Sequence, residues 1–118
     1  MISTPLVAAS LKPLILSVLA QGDSYGYAII QRVKDLTGGQ IAWTTSTLYP
    51  VLHSLENDGQ LVGEWRTGEE GPRRKYYRLT PRGAQALERE QKQWLDVHQA
   101  LVTLWKELPG GAGGLVPA

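Results

Sequence analysis

TTSTLYPVLHSLENDG, residues 44–59, is the stretch whose reading decides the fold. Leu48, Val51, Leu52 and Leu55 recur at helical steps, so a helix gathers them on one side. Thr44, Thr45, Ser46 and Thr47 offer hydroxyls for its start, and Asn57-Asp58-Gly59 closes it. Pro50 has to lie in or near the first turn, because deeper in it would remove a backbone bond and clash with the turn before it. The helix is therefore predicted to begin between Thr45 and Thr47. Opposite the leucines stand Ser46, Tyr49, Pro50, His53 and Asn57. Short hydroxyls, a tyrosine and a histidine can bond phosphates or base edges without filling a groove, and an aromatic such as Tyr49 would be wasted on bare solvent.

Downstream, LVGEWRT (residues 61–67) and RRKYYRL (73–79) are rich in strand formers and flank Gly68-Glu69-Glu70-Gly71-Pro72, a hairpin loop by composition. Alternation places Tyr77 with Leu79 on one face and Arg74, Tyr76 and Arg78 on the other. Upstream, residues 12–21 read as a helix with Pro13 in its opening turn and a stripe of Leu11, Leu14, Ile15, Val18 and Leu19, ended by Gly22. A second helix follows the capping candidates Asp23 and Ser24, sets Ile29, Ile30, Val33 and Leu36 on one side, and stops at Gly38-Gly39. Residues 40–43 read as a linker. Beyond the hairpin, Thr80-Pro81 is a hydroxyl cap followed by proline at the first helical position, and the helix it opens is predicted to run to about Leu108. Ala84, Leu87, Gln91, Trp94, His98, Leu101, Trp105 and Leu108 form a heptad seam along it, which needs a partner. The glycine-rich tail, residues 109–118, is expected to be disordered.

With 118 residues the chain has room for one ordinary domain and not for two unrelated ones. No apolar run approaches the roughly eighteen residues of a membrane helix, and residues 13–20 lack the flanks of a secretory signal, so a cytoplasmic protein without a membrane partner is expected. There are no cysteines and only two histidines, His53 and His98, far apart in the chain. That removes disulfides, thiol catalysis and any evident zinc site. Net charge is +1, yet residues 65–82 hold Arg66, Arg73, Arg74, Lys75, Arg78 and Arg82 against Glu69 and Glu70, a local +4 in a chain otherwise slightly acidic. DNA affinity comes mostly from cations against phosphate, and the densest cations here lie on the hairpin beside the helix that would read bases.

Three helices, a two-stranded hairpin and a long helix give a mainly α fold with a β wing, the order of a winged helix-turn-helix followed by a C-terminal dimerisation helix. The expected division is a DNA-binding domain over residues 1–79, a dimerisation helix over 80–108 and the tail. SYGYAIIQRV (24–33), STLYPVLHSLENDGQL (46–61) and GPRRKYYRLTPRG (71–83) resemble the signature stretches of the PadR family of transcriptional regulators. The resemblance implies a homodimeric winged-helix repressor of the short subfamily, with one C-terminal helix, on double-stranded operator DNA that carries an inverted repeat. It also makes Tyr49 a DNA-facing position and Tyr25, at the start of the second helix, a phosphate contact. In relatives that respond to flat aromatic drugs a tryptophan lines a pore at the dimer interface, and Trp94 matches it.

The expected DNA contacts are Tyr25, Thr45, Ser46, Thr47, Tyr49, Pro50, His53, Arg73, Arg74, Lys75 and Tyr76. Leu87, Trp94, Leu101, Trp105 and Leu108 are expected at the dimer interface. Gln91 and His98 are polar where a tight coiled coil would use leucine, so with Trp94 they are the expected site for a planar aromatic or amphiphilic effector. The rival reading, a winged-helix module that binds protein instead of DNA, would call for an acidic or apolar wing. An enzyme would need a nucleophile with its base or a carboxylate cluster, and Glu88, Glu90, Asp96 and Glu107 scatter along one helix instead. No catalytic residue, metal or cofactor is expected.

Overall fold

Helix-forming residues begin earlier than the apolar stripe suggests. In the computed structural model, which describes residues 1–67 and 71–109, the first helix, α1, is Thr4–Ala20, starting well before the expected Lys12. Pro5 stands in its opening turn, where a missing N–H costs nothing, and Val7 and Leu11 pack against the core. Pro13 consequently lies in the helix interior, where it leaves the Ala9 carbonyl without its usual donor. Full burial of Ile15 and Leu16 in the same helix outweighs that loss, and Leu16 was absent from the predicted stripe.

A short strand, β1 (Ser24–Tyr25), precedes α2 (Gly26–Leu36). Ile29 and Val33 are buried, whereas Leu36, expected beside them, is 58% exposed because the helix ends there. Thr37 caps that end: its hydroxyl donates to the Val33 carbonyl at 2.9 Å and accepts from the Ile41 N–H at 3.0 Å. Gly38 and Gly39 take φ of 60° and 84°, the left-handed turn that side chains resist. The stretch read as a linker is not spare: Ile41 and Trp43 are core residues.

The third helix, α3, is Thr45–Asn57, with Leu48, Leu52 and Leu55 buried as their spacing requires. The helix begins at Thr45, within the expected range, and Pro50 is its sixth residue, just past the first turn, so the Ser46 carbonyl loses its intrahelical donor. That carbonyl lies at the exposed end of the helix, where water can replace the donor.

Strands β2 (Leu61–Thr67) and β3 (Arg73–Leu79) pair antiparallel from Leu61↔Leu79 to Thr67↔Arg73, at the expected bounds. The wing is joined by β1, which pairs with the other edge of β3 through Ser24↔Tyr77 and Tyr25↔Tyr76. Two residues are too few for an alternation pattern, so this third strand leaves no mark on the sequence. Residues 68–70 of the loop lie outside the described residues.

The last helix, α4, is Pro81–Lys106, with closing turn bonds that reach Leu108. Thr80 caps it as expected, its hydroxyl accepting from the Gly83 N–H at 3.0 Å and donating to the Gly59 carbonyl at 2.6 Å. Gly83 admits no side chain: a Cβ there would strike the Gln60 carbonyl. Ala86 and Leu87 complete the core around Ile15, Ile29, Leu48, Leu52 and Tyr77.

Two compact units result, one spanning Met1–Leu87 and the other starting at Glu88. The first takes in the opening turns of α4, past the expected boundary at Leu79. Leu87, expected on the dimer seam, is thereby already in the core at 8% exposure. In the second unit Trp94, Leu101, Trp105 and Leu108 are exposed, and so are Leu95, Val97 and Leu104, which widen the apolar surface beyond the heptad seam. The expected disorder concerns residues 109–118, of which 110–118 lie outside the described residues.

Candidate nucleic-acid interface

The face of α3 turned from the core carries the residues predicted for it, Ser46, Tyr49, Pro50, His53 and Asn57, all exposed, and Thr45 and Thr47 are exposed at the start of the helix. Tyr49 and His53, one helical turn apart, have ring centroids 6.4 Å apart. Tyr49 does not simply project outwards. Its hydroxyl and outer ring atoms rest on Gly26 at the start of α2, where a Cβ would lie 2.7 Å from the hydroxyl oxygen. The glycine of the SYGY stretch thus makes room for a side chain of α3, a relation that spacing along the chain cannot show.

On one face of the sheet, cations and aromatics interleave. Tyr25 and Tyr76, paired across β1 and β3, meet edge to face at 5.3 Å. The Arg74 guanidinium lies 4.4 Å from the Tyr25 ring centre and that of Arg66 lies 4.8 Å from the Tyr76 ring centre. Each ring face attracts and orients the cation above it. Arg66 also donates to the Asp23 carboxylate at 2.7 Å. This bond, with the neighbouring charge of Glu64, raises the affinity of Arg66 for its proton.

The opposite face turns toward α3. Here Lys75 donates to Glu56 Oε1 at 3.0 Å, and the Gly63 N–H donates to Glu56 Oε2 at 3.2 Å. The hydrogen bond to Glu56 raises the Lys75 pKa above its ordinary value. Tyr77 is 1% exposed, and burial pushes its phenol pKa up. Farther out, the Arg73 guanidinium stands 5.8 Å from the Trp65 ring centre. Trp65 is 57% exposed. Sequence reasoning passed over it as a strand former; the signal it offered was an indole among the wing's cations. Among the described residues Arg73, Arg74 and Arg78 have no carboxylate partner, whereas Arg66 and Lys75 do.

The predicted DNA contacts are therefore gathered in one unit, on α3, β1 and β3. The predicted effector residues Gln91, Trp94 and His98 belong to the other, where they follow one another on one face of α4 with all three side chains exposed.

Three helices with a polar reading face on the third, followed by a basic hairpin, define a winged helix-turn-helix DNA-binding domain. Comparison with known proteins agrees. The family described as transcriptional regulator PadR-like matches residues 15–89, and the chain belongs to it. The structure of a transcriptional regulator from Clostridium thermocellum is similar with a TM-score of 0.77 and 32% identity, covering 86% of this chain and 95% of that one. A PadR family transcriptional regulator from Eggerthella lenta gives 0.75 and 33%, covering 88% of each chain. A transcriptional regulator of Mycobacterium tuberculosis is 45% identical over 65 residues, and the chain spans 53% of its length. The family is one of DNA-binding regulators and not of enzymes. No helix among the described residues is long and apolar enough to cross a membrane.

Proposed function

We propose that the chain is a ligand-responsive repressor that works in the cytoplasm as a homodimer on an inverted-repeat operator. The observation that carries this reading is the placement of Arg73 and Arg74, without carboxylate partners among the described residues, on the wing that Glu56 ties to the last turn of α3. Thr45, Ser46, Thr47, Tyr49, Pro50 and His53 meet base edges and adjoining phosphates, while Tyr25, Arg73, Arg74 and Tyr76 meet the flanking backbone. Trp94, Leu101, Trp105 and Leu108 pair two copies, since so much exposed apolar surface on one helix face is an aggregation hazard for a monomer. A planar aromatic or amphiphilic effector binds against Trp94 between Gln91 and His98. It releases DNA only if it prefers one spacing of the two reading heads over the other.

The test is a binding assay on the DNA upstream of the protein's own coding sequence across a salt series. Binding to an inverted repeat, with a slope that Arg74→Ala lowers by about one unit, supports the reading. Equal affinity for every duplex would leave a DNA-binding chain without an operator there.

A further inference from the structure

Both oxygens of one carboxylate join the reading helix to the wing. Glu56 stands in the last turn of α3, and its Oε2 accepts from the Gly63 N–H of β2 while its Oε1 accepts from Lys75 Nζ of β3. Gly63 is part of the same device: a Cβ at that position would run into Lys75 Cε and would lie 2.8 Å from Glu56 Oε2. The Lys75 and Glu56 side chains are 24% and 29% exposed, so the pair is only partly screened by water.

We propose that Glu56 is a positioning residue that sets the wing at a fixed distance from α3, and that Lys75 serves this lock and not a DNA phosphate. The inference rests on the DNA-binding reading above and departs at Lys75 from the sequence expectation, which placed it on DNA with Arg73 and Arg74. The charge of Lys75 is already matched before DNA arrives, so no counterion is released on its account when the complex forms. Pulling its ammonium onto a phosphate would strip Glu56 of its partner and leave a carboxylate facing the anionic backbone. Arg73 and Arg74 face no such conflict, as their guanidinium groups lie over aromatic rings. A wing fixed in this way lets phosphate contacts set the register of α3 on the bases. A loose wing would keep the charge and lose the register.

The experiment uses the full chain with Glu56→Gln, Glu56→Ala, Lys75→Met and Arg74→Ala. Affinity is measured by fluorescence anisotropy across a potassium chloride series, on a duplex selected by the native chain from a randomised pool and on unselected pool duplex. Arg74→Ala is expected to lower the salt slope by about one unit on both. Lys75→Met is expected to change the slope by much less than one unit, through the bared Glu56 charge alone, and to cut the ratio of selected to unselected affinity by about tenfold. Both Glu56 variants free the lysine, so the slope is expected to rise by about one unit while the ratio falls by a similar factor. A general loss of stability would not raise a slope. In parallel, hydrogen exchange of the Gly63 amide in the DNA-free chain is expected to quicken in Glu56→Ala and to stay as in the native chain in Arg74→Ala. A full unit of slope lost in Lys75→Met, or a ratio untouched in all three lock variants, would overturn the proposal. A native chain that binds neither duplex would sink the DNA-binding reading, while Gly63 exchange unaltered by Glu56→Ala would sink the lock itself.

Discussion

Tyr49 has two neighbourhoods, the solvent along the outer face of α3 and the glycine it leans on. Its outward placement was legible in the spacing of Leu48, Val51, Leu52 and Leu55, because one helical face fixes the other. Its seat on Gly26 was not, since the two residues are far apart in sequence and a glycine announces no neighbour. Gly26→Ala should destabilise the fold by about 1–3 kcal/mol, the usual cost of forcing an added methyl into an occupied space. If the clash is with Tyr49, that cost should largely disappear in a Tyr49→Ala background, and urea unfolding of the four proteins in the cycle measures the coupling. A cost that persists without the tyrosine would locate the strain in the α2 backbone instead. For recognition, Tyr49→Phe and His53→Ala should change preference among operator variants. Equal losses on all duplexes would remove both from base reading.

At the level of elements, the hairpin was read to the residue because strand formers, alternation and a glycine-proline loop all marked the same limits. The start of α1 was missed because Pro13 was taken for a first-turn residue although Val7 and Leu11 extend the stripe upstream, and β1 because two residues have no period. Thr80 was also legible, and its hydroxyl bonds both the start of α4 and the turn at Gly59. Thr80→Ala should cost about 1 kcal/mol, with most of it retained in Thr80→Ser; a thermal melt of both variants tests this. Strand β3 sets a pH response. Lys75 is held above its ordinary 10.5 by Glu56, and Tyr77 above its ordinary 10.0 by burial. The folded chain therefore keeps both protons longer than the unfolded chain. Their stabilisation is complete below the unfolded values and is lost as pH rises through the folded ones. Stability should fall above about pH 10. Tyr77→Phe should flatten that fall, and Lys75→Met should remove a further part of it, in urea titrations across the alkaline range.

At the scale of the whole molecule, α4 was legible as one long helix, and how much of it the N-terminal unit claims was not. Leu87 fits the seam by spacing, but the first turns of α4 are claimed by the core of Met1–Leu87, so residues available for pairing begin later. Sedimentation at micromolar concentration should show a dimer, and Leu101→Asp should yield a monomer that still melts cooperatively through its N-terminal unit. A native monomer would remove the dimer from the proposed function. Planar aromatic compounds should quench tryptophan emission in the native chain and in Trp105→Ala but not in Trp94→Ala. Quenching lost only in Trp105→Ala would move the site down the helix. The filled space beside Gly63 also has a consequence for descent. Because Lys75 Cε and Glu56 Oε2 stand where a Cβ at 63 would go, a side chain there is expected to push both side-chain ends aside. A lineage that acquires a side chain at 63 is expected to move the carboxylate at 56 or the lysine at 75, and on the proposed lock each such step loosens the wing. Drift should therefore be slow at these sites and free at Glu64 next door, whose side chain is more than half exposed.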